Sequence, residues 1–231
     1  MIERPRVLAL VPAWNEADRL ARTVSTLMTV PQISQVLVVD DGSSDGTAHA
    51  ARSAGAEVLV LKRNQGKSLA VASGVDFLDY PYYVLIDADL GETAVWARDL
   101  IEPVLRGDAD MTIAKFPVVP GRGGGAGWAV RTARLGTRFL TGRTLAAPLS
   151  GQRCMTRAAI RSAFPLSAGF GLEICLNVSV LRSGLKVVEI DTQMDHRVTQ
   201  NDFQGYRHRL RQLFHIVRAL FHAGIVYGTR R

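Results

Sequence analysis

The chain has little cysteine, no long apolar run and no apolar leader. Its two cysteines, Cys154 and Cys175, lack the paired spacing of a metal site, so we expect both to be buried, reduced thiols. No window reaches the about 18 uninterrupted apolar residues that a membrane-spanning helix needs. Residues 1–5 run straight into a predicted strand, which argues against a signal peptide. We therefore expect a protein without a transmembrane helix, acting in the cytoplasm or at the inner face of the membrane.

Acidic residues are outnumbered, because 21 Asp and Glu stand against 28 Lys and Arg, and the formal net charge is +7. This excess favours an anionic partner, for which nucleic acid, nucleotide-sugars, anionic acceptors and membrane headgroups are candidates. The arginine-rich stretches lack interleaved aromatics, a helix-turn-helix pattern and zinc-finger spacing. We therefore do not expect nucleic acid to be the partner.

Apolar runs alternate with helical patterns through the first half of the chain. Because parallel strands need long crossover connections, this alternation predicts an α/β fold with a mainly parallel sheet and helices on both faces. The hydrophobic content of 47% is enough for a full core. Pro12 should end the hydrogen-bonded ladder of the first strand, since proline has no backbone donor. The other strands of this pattern are predicted at 35–39, 56–61, 84–86 and 109–115.

The stretch Val84 to Leu90 is an apolar run that ends in Asp87-Ala88-Asp89. In open α/β sheets, ligands lie outside the carboxyl ends of the strands, so these two acids should lie at a binding edge. Alternate strand residues share a face, and both carboxylates could therefore hold Mg²⁺ or Mn²⁺, which would in turn hold a diphosphate. The alternative is that Asp89 caps a helix starting near Glu92.

Two further turns follow the first two strands. Pro12-Ala13-Trp14-Asn15-Glu16 exposes polar groups at the same edge, although Asn15 could equally be a helix N-cap. The run from Asp40 to Thr47 contains more acids than a cap requires, even if Asp45 or Ser44 caps the next helix. One of these acids could accept a hydrogen bond from a nucleobase or bind ribose hydroxyls.

The third strand leads into Asn64-Gln65-Gly66-Lys67 at the start of a helix. Backbone N–H groups at a helix start, together with a glycine and a lysine, form a natural phosphate site. The spacing is not that of a Walker A loop, and a basic loop at a helix start can also be merely solvated.

The glycine-rich stretch 120–127 predicts a mobile loop, and Arg131, Arg134 and Arg138 follow it at helical spacing. A row of arginines beside such a loop could clamp a phosphorylated or lipid-phosphate acceptor. The alternative is a solvated basic face.

Two residues of the last third are candidates for chemistry. Glu173, at the start of an apolar helix, could be a general base or a carboxylate favoured by the helix dipole. His196 could complete a cation site with Asp89, or could be structural. The apolar residues between Tyr206 and Phe221 have helical spacing among arginines, so this segment could pack on the domain, pair two subunits as a homodimer, or lie on an anionic membrane.

Taken together, these motifs resemble the family-two glycosyltransferases with a GT-A fold, over roughly residues 5 to 200. The resemblance implies a nucleotide-diphosphate sugar donor, usually a UDP-sugar, and a Rossmann-like nucleotide-binding half. It implies that the first turn and Asp41 hold uridine, that Lys67 approaches the diphosphate, and that Asp89 and His196 hold Mg²⁺ or Mn²⁺. The donor site that we expect comprises Pro12, Ala13, Asn15, Glu16, Asp41, Asn64, Gly66, Lys67, Asp87, Ala88 and Asp89.

Within that family the chain is most similar to polyprenyl- or dolichyl-phosphate sugar synthases and glucosyl-3-phosphoglycerate synthases. Both kinds imply an anionic acceptor, transfer of glucose or a related hexose, and inversion with Glu173 and Asp89 as catalytic residues. The chain differs from many relatives in lacking transmembrane segments and in having Ile174, not a second acid, after Glu173. The acceptor site that we expect comprises Arg131, Arg134, Arg138, Ser150, Gln152 and Arg197.

We divide the chain into a glycosyltransferase domain at 1–203 and a basic amphipathic helix at 204–231. The domain would have a nucleotide-sugar half at 1–115 and an acceptor half at 116–203, with Asp89 binding the metal and Asp87 orienting the site. Two other functions stay open. One is a sugar nucleotidyltransferase, and the other is a nucleotide-sugar sensor or peripheral membrane module without turnover.

Overall fold

The computed structural model of the chain describes residues 6–117, 126–166 and 171–195. Strands and helices alternate through most of it, as the apolar pattern predicts. The strands are β1 (Val7–Ala13), β2 (Ile33–Asp40), β3 (Glu57–Val60), β4 (Tyr82–Leu85), β5 (Met111–Lys115), β6 (Arg153–Thr156) and β7 (Val187–Asp191). The helices are α1 (Ala17–Met28), α2 (Thr47–Ser53), α3 (Lys67–Phe77), α4 (Ala97–Leu105), α5 (Ala126–Thr141), α6 (Arg157–Ser162) and α7 (Leu172–Arg182), with a 3-10 helix at Gly91–Trp96.

The strands form one sheet in the order β3-β2-β1-β4-β6-β5-β7. Strand β6 is antiparallel to both of its neighbours, and the other pairings are parallel. The prediction of an α/β fold with a mainly parallel sheet is therefore confirmed. Because β6 runs against β4, with Leu85 opposite Arg153, the start of β6 lies at the edge where β4 ends. This reversal brings residues just before β6 to the carboxyl edge of the parallel strands.

Two apolar layers cover the two faces of the sheet. Alternate residues of β1 point to opposite faces, so Ala9 packs with α1 and α4 whereas Leu10 packs with α3, α6 and α7. Gly74 allows the close contact on the second face, since a Cβ at this position would collide with Leu10 Cδ1. The helices on both faces leave the ends of the strands as the accessible edge.

Pro12 does not end the first strand, and this prediction was wrong. Strand β1 continues through Pro12, opposite Val39, to Ala13. The carbonyl of Leu10 accepts from the N–H of Ile86, on the side of β1 that faces β4. Pro12 is two residues further along, so its backbone nitrogen points to the same side, beyond Leu10, which is the last residue of β1 that pairs with β4. The donor that proline lacks would have had no partner there. The turn after β1 therefore begins after Ala13, later in the chain than the sequence pattern indicates.

Several sequence predictions lie outside the described residues. They concern His196, Arg197, most of the glycine-rich stretch and the helix at 204–231. Across 6–117, 126–166 and 171–195, no helix is long and apolar enough to cross a membrane.

Candidate functional site

The turn after β1 and the loop after β2 are fastened to each other at the carboxyl edge of the sheet. The backbone N–H of Asn15 donates to Ser43 Oγ at 2.9 Å, and Asn15 Oδ1 accepts from the N–H of Ser44 at 2.9 Å. The N–H of Glu16 donates to Thr47 Oγ1 at 2.9 Å. Asn15 has a φ of 54°, in the left-handed region that asparagine tolerates better than most residues. Glu16, not Asn15, precedes α1 as its N-cap, so Asn15 holds two loops together.

Asp45 strengthens the same connection. Its Oδ1 accepts from the N–H of Thr47 at 2.9 Å, and its Oδ2 accepts from the N–H of Ala17 at 3.3 Å. The hydrogen bond from the Thr47 hydroxyl lowers the pKa of Asp45 below its ordinary value. Asp45 is not the predicted N-cap of α2, a position that Gly46 occupies, but its carboxylate binds the first N–H of α2 and the first N–H of α1.

Asp41 attaches the third loop. Its side chain is buried, and its two oxygens accept from the N–H groups of Gln65 at 2.8 Å and Gly66 at 2.7 Å. Gly66 has a φ of 90° immediately before α3. Gly42 lies so close to Arg63 that a Cβ would be 2.6 Å from its carbonyl carbon. The predicted uridine ligand Asp41 therefore also determines where α3 begins.

Lys67, the first residue of α3, lies between two carboxylates. Its Nζ is 2.6 Å from Asp87 Oδ1 and 3.3 Å from Glu173 Oε1. Gln152 Nε2 donates to the other oxygen of Asp87 at 2.7 Å. We name Lys67, Asp87, Gln152 and Glu173 the charged group. It brings together residues that were predicted separately for the donor, the acceptor and the chemistry.

Lys67 is a cation at every ordinary pH. Burial lowers the pKa of Lys67, but the charges of Asp87 and Glu173 raise it more, and the pKa lies above the ordinary lysine value. A third of the side chain is still exposed, so the ammonium can reach a ligand at the edge. A positive charge at a helix start suits an anionic ligand such as a diphosphate.

Gly151 makes the contact between Lys67 and Asp87 possible. A Cβ at this position would lie 2.6 Å from Lys67 Nζ and 2.8 Å from Asp87 Oδ2. Any larger residue would therefore displace one of the two side chains. Sequence reasoning did not single out Gly151, because a glycine in a polar turn before a strand does not reveal what lies against it.

Arg153 is a second residue that sequence reasoning missed. It is fully buried, and its guanidinium donates to the carbonyl of Ser150 at 2.8 Å, to Asn177 Oδ1 at 2.7 Å and to the carbonyl of Pro148 at 3.2 Å. A longer bond of 3.4 Å reaches the carbonyl of Glu173. Burial lowers the pKa of Arg153 to about 10, although the charge of Glu173 opposes this shift. Arg153 thus joins the turn before β6 to the first turn of α7.

Asp89 has different surroundings from Asp87. It lines a cavity of about 340 Å³ together with Arg19 and Arg22 of α1 and with Asp195. The structure therefore places the two acids in different surroundings. Asp89 is not a helix cap, because Leu90 is the residue before the 3-10 helix and no side chain caps it. That alternative was wrong.

The described residues contain no group of three or more His, Cys, Asp or Glu side chains that could hold a metal ion. A cation on Asp89 would therefore need oxygen atoms from a diphosphate, from water or from residues beyond Asp195. Mg²⁺ is commonly held in this way, by one or two carboxylates and substrate phosphates. Asp195 exchanges hydrogen bonds of 3.2 Å with Thr93 Oγ1, so the chain just before His196 is attached close to Asp89.

The predicted row of arginines is exposed on α5, but its members have different contacts. Arg134 donates to the carbonyl of Ala146, with its Nε at 3.1 Å. Arg182, at the end of α7, donates to the carbonyl of Leu140 at 3.4 Å, so the end of α5 lies away from Glu173. Arg138, close to that end, is not brought to the charged group. The Oγ of Ser150 is buried and has no hydrogen-bond partner in the described ranges.

Comparison with protein families identifies one match that covers most of the chain. The sequence model described as Glycosyl transferase family 2 matches residues 9–165. Glycosyltransferase AglJ of Haloferax volcanii is 31% identical over 194 residues, which are 80% of this chain and 62% of that protein. Undecaprenyl-phosphate mannosyltransferase of Micrococcus luteus is 32% identical over 203 residues, covering 80% of this chain and 82% of that protein. The chain thus spans less than two thirds of the first of these relatives.

Solved structures resemble the fold. Glucosyl-3-phosphoglycerate synthase from Mycobacterium tuberculosis, in complex with Mg²⁺ and UDP, superposes with a TM-score of 0.80 at 22% identity, covering 96% of this chain and 79% of that one. The same enzyme with Mn²⁺, UDP and glucosyl-3-phosphoglycerate gives a TM-score of 0.79 at 20% identity, covering 96% and 80%. The expected GT-A fold is therefore confirmed.

Proposed function

The chain belongs to glycosyl transferase family 2, and we propose that it transfers glucose or a related hexose from a UDP-sugar to an anionic acceptor. The acceptor would be a polyprenyl phosphate or a phosphorylated small molecule. The observation that carries this proposal is the position of Lys67. This cation lies at the start of a helix, at the edge of the sheet where β1, β2 and β4 end in polar turns. A site of that kind binds a diphosphate.

The donor would lie across the fastened loops. We assign uridine to the turn of Pro12, Ala13, Asn15 and Glu16 and to Asp41. Asn64, Gly66 and Lys67 would face the diphosphate, and Ala88 would form the floor between Asp87 and Asp89. The glucosyl-3-phosphoglycerate synthase, which has the same fold, is solved in complex with UDP, and this supports UDP as the nucleotide of the donor.

The cation would be Mg²⁺ or Mn²⁺, held by Asp89 and His196. When bound, such a cation neutralises the charge that develops on the departing UDP. The residues present are compatible with such a cation, because a single carboxylate at the wall of a polar cavity leaves coordination positions for phosphate oxygens. The neighbouring structures that contain both UDP and Mg²⁺ or Mn²⁺ support the choice of metal.

The acceptor would enter from the side of β6 and α7. Gln152, Ser150 and Arg131 would contact it, together with Arg197, while Arg134 and Arg138 would supply positive charge further along α5. With a hydroxyl acceptor, Glu173 would take its proton and the product would be inverted. A phosphate acceptor is already ionised and needs no base, so Glu173 would then mainly hold Lys67.

The test is turnover by the purified chain with UDP-glucose, other UDP-sugars and GDP-sugars, with Mn²⁺ and either undecaprenyl phosphate or 3-phosphoglycerate as acceptor. We expect UDP release that requires acceptor and metal. Release of pyrophosphate from UTP and a sugar phosphate would indicate a nucleotidyltransferase instead. UDP binding without turnover of any donor would indicate a sensor or binding module.

A further inference from the structure

The outer face of α5 carries large apolar side chains in solvent. Trp128 is 79% exposed, Leu135 is 59% exposed and Phe139 is 89% exposed. Their spacings of seven and four residues place them in one line along the helix. Ala133 and Thr137, which are fully buried, lie on the opposite side of the helix. We name Trp128, Leu135 and Phe139 the α5 stripe.

Packing of the described domain does not account for this stripe. The inner side of α5 already packs on α7, where Ala133 contacts Ile174 and Val178. Single exposed apolar residues are common in proteins, but three in one line, two of them aromatic, indicate a binding surface. A helix with apolar and aromatic residues on one outer face and basic residues beside them is typical of helices that lie in a lipid interface.

Positive charge is concentrated around the same helix. Helix α5 carries Arg131, Arg134 and Arg138 and no Asp or Glu. Four other basic residues of the acid-free stretch 111–172 do not add to this surface, because Arg153 is buried and Lys115, Arg157 and Arg161 pair with carboxylates elsewhere. Arg131 and Arg138 are exposed beside the stripe, and neither forms an ion pair in the described part of the chain. The partner of this face should therefore carry negative charge.

We propose that the α5 stripe, with Arg131 and Arg138 beside it, binds the surface of an anionic lipid membrane. The proposal rests on the proposed function, because a lipid-phosphate acceptor would be presented from such a surface. Helix α5 runs alongside α7 in the same direction, as the contacts of Ala133 and Leu140 require, so its start points to the end of α7 that carries Glu173. Headgroups at the stripe would then lie on the acceptor side of the site.

Other occupants of the stripe fit its charge less well. The segment 204–231 is itself rich in arginine and would be repelled by Arg131 and Arg138. A second copy of the chain, paired through α5, would bring the same arginines against each other. An anionic bilayer satisfies both the apolar stripe and the basic residues beside it.

The test is co-sedimentation of the full chain with vesicles of phosphatidylcholine alone or with added phosphatidylglycerol. We expect binding to the anionic vesicles that falls at high salt, since salt screens the headgroup charge. The double variant Trp128→Ser with Phe139→Ser should bind about tenfold more weakly. The matched control Met28→Ser with Phe77→Ser removes two apolar side chains that are about half exposed elsewhere, and it should bind like the parent.

A second pair of variants tests the charge. Arg131→Gln with Arg138→Gln should weaken vesicle binding about tenfold or more, since each basic residue near an anionic surface contributes separately. Arg52→Gln with Arg106→Gln makes the same change in net charge on α2 and at the residue after α4, and it should leave binding unchanged. Equal loss in both pairs would overturn the proposal, as would equal binding to vesicles without phosphatidylglycerol.

Two further readouts separate this proposal from the proposed function. The stripe variant should retain the parent's UDP-induced thermal shift and its turnover with a water-soluble acceptor, because its residues are outside the charged group. If no donor is turned over but stripe-dependent vesicle binding remains, only the proposed function fails. If the stripe variant binds vesicles like the parent, the membrane proposal fails, and a change in its mass in solution would identify a second copy as the occupant.

Discussion

Lys67 Nζ lies 2.6 Å from Asp87 Oδ1, although one residue begins α3 and the other follows β4. The ion pair joins the loop that would face the diphosphate to the strand end that would face the sugar. Glu173 touches the same ammonium from α7. One cation therefore connects three elements, and its loss should affect binding and chemistry together.

Replacing Lys67 with methionine should lower kcat/KM for sugar transfer about 100-fold, because the diphosphate that we propose to bind there would lose its nearest cation and two carboxylates would lose their counter-charge. The change is measured by steady-state kinetics at varied donor. Lys62→Met removes an exposed lysine from the preceding loop and serves as the control. If both variants kept the parent's kcat/KM, Lys67 would have no part in the site.

Gly151→Ala should separate Lys67 from Asp87, since its Cβ would lie within 2.8 Å of both side chains. We expect a loss of about 1–3 kcal/mol in the free energy of unfolding and a fall in turnover. Denaturant unfolding and initial rates measure the two effects. Gly127→Ala, at a helical position with nothing within 4 Å, should be neutral or slightly stabilising. A Gly151→Ala protein with normal stability and turnover would contradict the close contact.

Arg153→Lys should destabilise the protein by about 2–4 kcal/mol, because an ammonium cannot replace the several directed bonds of a buried guanidinium. The measurement is the free energy of unfolding in urea. Arg157→Lys, in which about half of the parent arginine side chain is exposed, is the control and should cost less than about 1 kcal/mol. Similar losses in both variants would show that the bonds of Arg153 contribute little.

Asp89→Asn should remove the metal dependence of the reaction. In the parent, removing divalent cations with EDTA should stop transfer, and adding Mn²⁺ should restore it. In the variant, Mn²⁺ should neither restore transfer nor increase the thermal shift produced by UDP. Asp195→Asn changes another acid of the same cavity and should keep the Mn²⁺ response. Loss of that response in Asp195→Asn alone would move the metal site to Asp195.

The stability of the protein at acid pH should depend on Asp45. Its pKa is lowered in the folded state, so the unfolded state binds a proton at higher pH than the folded state does. The contribution of Asp45 is therefore complete above about pH 4 and is lost as the pH falls through the lowered pKa. The difference in unfolding free energy between the parent and Asp45→Asn should be constant near neutral pH and shrink in acid. A difference independent of pH would contradict the lowered pKa.

The elements of the fold were largely predictable from hydrophobic patterning. Buried parallel strands are apolar throughout and the helices between them are amphipathic, so their positions are local properties of the sequence. The reversed direction of β6 was not predictable, since an apolar run does not indicate which way its strand enters the sheet. It is this reversal that puts Gln152 beside Asp87.

The candidate site was predictable where polar residues follow strands, and not where the contact is distant in sequence. Lys67, Asp87 and Glu173 were each identified from local pattern, whereas Asp41 was chosen among the acids of its loop through the resemblance to the family. That Asp41 binds the backbone of Gln65, 24 residues on, could not be read from either segment. The spacing of the arginines on α5 correctly placed them on one exposed side, but it did not reveal that Arg134 is bound to Ala146.

Hydrogen bonds connect the loops after β1, β2 and β3, where we propose that the donor binds, in a structure that contains no ligand. A nucleotide that binds to such loops would cost little ordering entropy, so more of its contact energy would appear as affinity. None of these bonds involves β6, α5 or α7. The acceptor side could therefore change by substitution while the donor site stays intact, which would let one donor scaffold serve enzymes with different acceptors.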